Sequence, residues 1–442
     1  MFKQAYAIFK KPGYEYFALL VILLLTFALR LFFINEPLDR DEGTYFLLGK
    51  EILRGAVPYR DAIEMKLPGS FYLFALFMLV GDSVRYIRII TVIYSLLTVT
   101  ATYLLARSVG GRWAGLFAAL LCGIFTSGPV VQGSGSNLEV FLLFPMMVGV
   151  YLLLRGFNSG SRLYLSLSGL FLAFAVLIKT VVLPVYFLPI LFIPFVQRSQ
   201  QRWMVMAKDV LAYVTPGVLL SIVLVVYLSL NDAWNDFVYW NVTYASSYAK
   251  TPWTLFWDRL VSRGLSTANE FLVLWIVAFL TIFWLIVKQR SLKNLFLIGM
   301  LVATIIGVCM PGKFWPHYLI ILIPPLSVIS GVGLATLFDK RRKLFYASLP
   351  LLAITLYPTI QLDYPYYAAS PDEASRMKFG SDVFVAARDV AIYVKERTTP
   401  DDTIFQWGWE PEIYVTAQRR PPNRFLSHMI VADSPNPEAA VN

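Results

Sequence analysis

The sequence predicts an all-α polytopic membrane protein of about eleven transmembrane helices, followed by a small α/β region. Three observations carry this. Of 442 residues, 57% are hydrophobic and 15% charged, and mean hydropathy is +0.62, outside the range of soluble globular chains. Apolar runs of the roughly 20 residues that a helix needs to cross a hydrocarbon core recur along most of the chain. Lys and Arg gather in every second connection between those runs.

The expected spans are 16–34, 86–106, 113–130, 138–154, 163–179, 181–197, 210–230, 270–287, 295–310, 316–337 and 344–360. With the N-terminus in the cytoplasm, the inner segments hold Lys3, Lys10 and Lys11, then Arg107 and Arg112, then Arg155 and Arg162. Further on they hold Arg198, Arg202 and Lys208, then Lys288, Arg290 and Lys293, and finally Lys340 to Lys343. The first run lacks a small-residue cleavage site and leads into a charged loop, so it reads as a retained span. Much of the net charge of +10 lies in these short loops, which argues against a nucleic-acid partner. Cys122 and Cys309 fall inside expected spans, so neither a disulfide framework nor a Cys-based metal site is expected.

This topology leaves three polar pieces on the outer side: 35–85, 231–269 and the tail from 361 to 442. Residues 1–360 thus form a membrane domain and 361–442 a small extracytoplasmic α/β cap. In the cap, Val383, Ala386, Val390, Ile392 and Val394 are set among charges between Asp382 and Arg397 with helical spacing. Thr403-Ile404-Phe405 is a strand candidate. So short a cap either leans on the membrane domain or is a shortened version of a larger one.

The first outer loop is the most informative segment. Asp39-Arg40-Asp41-Glu42-Gly43-Thr44-Tyr45 follows the first span and sets a carboxylate pair at the membrane surface. From Tyr45 to Leu53, Tyr45, Leu48 and Ile52 share one side, the pattern of a short helix lying in the interface. Gly55 to Pro58 and Lys66-Leu67-Pro68 come next. Asn137-Leu138-Glu139 opens the fourth span, and Ile178-Lys179-Thr180 closes the fifth. Trp234-Asn235 with Tyr239-Trp240 lies in a later outer loop, and Lys313-Phe314-Trp315-Pro316-His317-Tyr318 runs into Ile323-Pro324-Pro325. This ordered series, covering most of the chain, resembles the GT-C-fold family that contains lipid A aminoarabinose transferases and protein O-mannosyltransferases. The chain departs from the family pattern at Leu67, where a Pro is often seen, and at Ala245 to Tyr248, where Arg-Phe is expected.

The resemblance implies a glycosyltransferase that takes its sugar from a polyprenyl-phosphate donor. The acceptor would be a lipid, glycan or protein on the outer membrane face, and the transfer a single displacement with inversion. It makes Asp41 the general base toward the acceptor hydroxyl, with Glu42 orienting it or sharing the role. Such a carboxylate works within hydrogen-bond reach of the hydroxyl, with partial desolvation raising its pKa toward the working pH.

The leaving lipid phosphate is an anion, and Lys66, Lys179, Lys313 and His317 stand at expected outer ends of spans. Lys179 opposes the charge bias of that side, so it is paired, held to phosphate or snorkelling to the surface. His317 meets either phosphate or a backbone carbonyl, and two histidines cannot build a His-rich metal centre. Arg85 and Arg88 either hold lipid phosphate or pair with Asp82 or Glu64. Glu139, with Asn137 beside it, fixes Lys179 or a loop backbone, or holds a divalent cation together with Asp41. Trp234, Tyr239 and Trp240 line the sugar site or belong to an interfacial aromatic belt. Gly133-Ser134-Gly135-Ser136 lacks the Lys-Ser/Thr of a phosphate loop and reads as a flexible outer turn.

An outward-facing enzyme would not meet cytosolic nucleotide sugars, which favours a lipid-linked donor. The family likeness suggests a bacterial inner membrane, and an archaeal membrane is equally compatible. The rival reading is a transporter or flippase of lipid-linked sugars. Transporters usually place substrate groups near the midplane, in broken helices of paired halves. Here the unusual charges collect at one face, without an evident internal repeat.

Overall fold

The structure, a computed structural model, describes residues 13–197, 203–340, 353, 356–357 and 359–427. Its long helices are α1 (Tyr14–Leu31), α2 (Arg40–Leu53), α3 (Gly69–Met78), α4 (Val84–Phe125), α5 (Leu138–Ser159), α6 (Arg162–Ile178), α7 (Leu183–Gln197) and α8 (Trp203–Leu230). They continue with α9 (Leu272–Lys288), α10 (Leu292–Cys309), α11 (Ile323–Lys340), α12 (Pro371–Phe379), α13 (Val383–Arg397) and the short α14 (Glu412–Ala417). The eleventh expected span and the segments holding Lys3, Lys10, Lys11, Arg198, Arg202 and residues 341–343 lie largely outside the described residues.

Among the described residues six helices are long and apolar enough to cross a membrane, and a seventh span arises if Trp253–Asn269 and Leu272–Lys288, bent by 87°, count as one. The expected segments 163–179 and 181–197 coincide with shorter apolar helices. α4 is not one rod. Gly111, at φ 81 and ψ −174, breaks it, and Thr102 Oγ1 lies 3.6 Å from Cys122 Sγ. Twenty residues of straight helix would separate those atoms by about 30 Å, so the two arms run antiparallel. This reproduces the expected pair 86–106 and 113–130. α11 packs most extensively of all against α4, and α5 against α6.

The connections at one end of this bundle build the site. α2 starts there because Asp39 accepts from the Glu42 N–H at 2.9 Å while Glu42 accepts from the Asp39 N–H at 3.2 Å, a reciprocal capping box. The expected interfacial helix is therefore real but begins earlier, and its setting differs. Gly43 through Gly49 are all buried, because α3 covers one side and α14 another. Gly43 allows that approach, since a Cβ there would stand 2.5 Å from the Glu412 backbone nitrogen.

The C-terminal region is helical rather than α/β. Among the described residues there is no strand, and Thr403 makes only an isolated bridge to Arg420. Pro421 and Pro422 follow directly and lack the N–H groups that a ladder needs. The region does lean on the first loop: Lys378 pairs with Glu36 at 2.5 Å, Arg420 with Glu51 at 2.8 Å, and Ile63 N–H donates to the Arg424 carbonyl at 3.0 Å.

Candidate active site

A cavity of about 310 Å³ opens between α2, the 126–137 connection, the start of the 316–322 turn and the C-terminal segment. Five buried or half-buried groups converge at and just beneath its floor. Asp41 Oδ1 stands 3.5 Å from Lys66 Nζ, and Asp41 Oδ2 stands 3.9 Å from His317 Nε2. That same Nε2 is 3.8 Å from Glu139 Oε1, and Glu139 forms an ion pair with Lys179. Lys179 also lies over the Tyr318 ring, 3.9 Å from its centroid, and Lys66 over Tyr45 at 4.8 Å.

The carboxylates are not equivalent. The Asp41 side chain is 37% exposed, whereas those of Glu42, Glu64 and Glu139 are 1%, 6% and 2% exposed. Of the two that line the cavity, Asp41 and Glu64, Asp41 is by far the more exposed. Burial alone would raise its pKa, but Lys66, His317 and Lys179 outweigh this and hold it at about 2. The sequence argument pointed to a raised value; it did not foresee three nitrogen groups around one carboxylate. Asp39, in contrast, is pushed up to about 8 by burial and by Glu42 and Asp41 beside it.

Glu42 does not share the cavity. It pairs with Arg88 at 2.6 Å, accepts from the Ser136 N–H at 2.6 Å and closes the capping box. Arg88 also donates to the carbonyls of Phe33 at 2.8 Å and Pro37 at 3.2 Å, so its partner is neither Asp82 nor Glu64. This buried pair ties α2 to α4. Arg85 is exposed and lies off the cavity, and Asp82 pairs with Lys50 at 3.1 Å. Asn137 lines the cavity and donates to Asp39 Oδ2 at 3.4 Å.

Lys313 lies apart from the Asp41 cluster, over the Tyr248 ring at 4.2 Å. Burial, then Arg259 and Arg263 nearby, lower its pKa. Arg263 stacks 4.2 Å over Trp315, and none of these three cations makes an ion pair among the described residues. Arg259 and Arg263 were missed in the sequence because a lone pair of arginines four apart carries no motif.

The aromatic wall also differs from expectation. Trp240 is buried against Ile63 and Tyr244, Trp234 stacks on Phe237, and neither they nor Tyr239 line the cavity. The helical run from Trp234 to Ala249 presents Tyr244 and Tyr248 instead, and Trp315 and Trp409 complete the wall. Spacing explains this: residues 240, 244 and 248 share a helix face, and only the later turns reach the cavity.

The connection 126–137 is fixed rather than flexible. The Arg30 guanidinium, buried at the end of α1, donates to the carbonyls of Thr126 at 2.7 Å and Gly133. A Cβ at Gly133 would stand 1.8 Å from the Thr126 carbonyl oxygen, so only glycine fits. A divalent cation does not suit this floor. Lys179 and Lys66 already neutralise Glu139 and Asp41, and among the described residues no three His, Cys, Asp or Glu groups are arranged to hold a metal.

Residues 66–229 match the family model for dolichyl-phosphate-mannose-protein mannosyltransferases. Among curated proteins, no sequence matches significantly. The fold is similar to that of an Archaeoglobus fulgidus oligosaccharyltransferase crystallised with a tethered acceptor peptide containing the NVT sequon. The TM-score is 0.58 and the identity 15% over 94% of this chain, which spans 64% of the length of that one. It is also similar to ArnT from Cupriavidus metallidurans bound to undecaprenyl phosphate, with TM-score 0.54, 18% identity, and coverage of 92% of this chain and 74% of that one. At these identities the structural likeness is one of fold, and the family match runs from the Lys66 segment through α8. The chain thus shares the fold of these GT-C membrane glycosyltransferases, and its residues 66–229 carry the family match.

Proposed function

We propose that this protein transfers a sugar from a polyprenyl-phosphate donor to a hydroxyl of a lipid, glycan or protein acceptor, at the extracytoplasmic face of a bacterial inner membrane. In this reading the N-terminus is cytoplasmic and residues 361–442 lie outside. The observation that carries the reading is Asp41, an ionised carboxylate open to a cavity and ringed by Lys66, His317 and Lys179.

The acceptor O–H gives its proton to Asp41 as its oxygen attacks the anomeric carbon. The bond from that carbon to the phosphate oxygen breaks, and its electron pair leaves with the lipid phosphate. Attack from the face opposite the leaving group inverts the anomeric centre. Lys66 and Lys179, joined by His317 once the bound phosphate has offset its burial and favoured its protonated form, stabilise the developing phosphate charge. An incoming phosphate competes with Asp41 for those cations, so donor binding itself raises the basicity of the carboxylate that must take the proton.

Lys313, with Arg259 and Arg263, forms the mouth through which the lipid phosphate passes, because among the described residues these cations are not neutralised by ion pairs whereas Lys66 and Lys179 are. The site gathers its charges at one end of the bundle, which supports surface chemistry over alternating access. The test is transfer of labelled sugar from polyprenyl-phosphate donors by protein in nanodiscs, comparing the parent with Asp41→Asn. Donor-dependent transfer that disappears in the variant supports the assignment. Equal transfer in both removes Asp41, and translocation of donor without transfer replaces the enzyme with a transporter.

A further inference from the structure

Gln132 stands out in the cavity wall. It is a non-glycine residue held at φ +53, in the left-handed region where Gly or Asn sits more comfortably, and its side chain is almost fully buried. Strain of this kind persists where its surroundings over-determine it. They do so here: the Gln132 N–H donates to the Pro129 carbonyl at 2.9 Å, and its carbonyl accepts from the Gly135 N–H at 3.1 Å. Arg30 pins the carbonyl of the following residue, Gly133.

The side chain so presented reaches one partner at the site. His317 Nδ1 donates to Gln132 Oε1 at 3.0 Å, across 185 residues of sequence. With Nδ1–H engaged, the imidazole turns Nε2 toward Asp41 and Glu139, at 3.9 and 3.8 Å, and Nε2 donates toward a phosphate when the ring takes up a second proton, which a bound phosphate anion favours. An amide suits this task because it carries no charge, so it adds no fourth carboxylate to a floor that already holds Asp41, Glu64 and Glu139. Without it, Nδ1–H would be an unpaired polar group beside an apolar wall, and the ring would rotate to find another acceptor.

We propose that Gln132 is the positioning residue that aims His317 at the donor phosphate, acting through the imidazole and touching neither substrate nor Asp41. This rests on the donor reading above. Because His317 meets phosphate in the bound donor and again as its charge grows during transfer, loss of its aim weakens donor binding and also slows transfer.

The test measures binding of undecaprenyl phosphate to the full chain in nanodiscs, with sugar transfer as a second readout. Gln132→Asn favours the strained backbone but is one methylene too short to reach Nδ1, so it should be at least as heat-stable as the parent and bind about tenfold more weakly. In a His317→Ala background Gln132→Asn should cost nothing further. An additional tenfold loss in that background overturns the proposal, as does unaltered binding in Gln132→Asn alone. A parent that binds no polyprenyl phosphate overturns the donor reading and this inference with it, a result distinct from additive losses in a parent that binds.

Discussion

Glu42 and Arg88 give the sharpest separation between a structural and a catalytic carboxylate. Glu42→Gln keeps the shape of the side chain but only one acceptor oxygen, so it can serve the Ser136 N–H, which meets Oε1, or the Asp39 N–H, which meets Oε2, and not both. It also removes the charge opposite Arg88, whose side chain is 2% exposed. Breaking a buried ion pair from one side costs about 3–5 kcal/mol, since the remaining charge stays desolvated. The carbonyls of Phe33 and Pro37 still accept from Arg88, so the expected loss is at the lower end, about 3 kcal/mol. Replacing both members with apolar residues, Glu42→Leu with Arg88→Met, removes the stranded charge and should recover part of it. The assay is denaturant unfolding in detergent, followed by sugar transfer per folded molecule. The expected outcome is a less stable Glu42→Gln protein whose surviving fraction turns over as the parent does. A Glu42→Gln protein as stable as the parent but without turnover would refute this reasoning and return Glu42 to the chemistry.

Three further outcomes follow from the geometry. Lys66→Met removes the nearest cation from Asp41; because the depressed carboxyl is ionised above about pH 2 and lost as pH falls through that value, the acid limb of the pH–rate profile should move to higher pH. Arg263→Ala should weaken donor binding and flatten its salt dependence while Arg85→Ala leaves both unchanged, which titrations at two ionic strengths would check. Gly43→Ala sets a Cβ 2.5 Å from the Glu412 backbone nitrogen, so it should undock α14 from α2 and expose the C-terminal segment to limited proteolysis with the membrane helices intact.

The membrane helices were legible because a bilayer imposes run length and composition, and both can be read residue by residue. The break at Gly111 was legible too, since the basic residues Arg107 and Arg112 mark the end of one span and the start of another. Asp41, Lys66, Lys179 and His317 could be gathered from their positions at span ends. Sequence reasoning failed where direction mattered more than position. Glu42 adjoins Asp41 in the chain but, one residue further round the helix, it faces Arg88 and the 136 amide instead of the cavity. Trp234 and Trp240 carry the aromatic signal, yet the wall is made by Tyr244 and Tyr248 on later turns. Gln132 gave no signal, because neither a left-handed backbone nor a contact across 185 residues leaves a local pattern.

The seat of α14 upon α2 bears on when the protein becomes competent during its own synthesis. The helix that bears Asp41 ends at Leu53, and the helix that roofs it begins 359 residues later at Glu412. At ribosomal rates of about 5–20 residues per second, that interval is roughly 20–70 s. Throughout it the membrane helices can insert and pack while Asp41 stands without its roof, so the cavity is assembled last, after the scaffold that must carry it is already in the lipid.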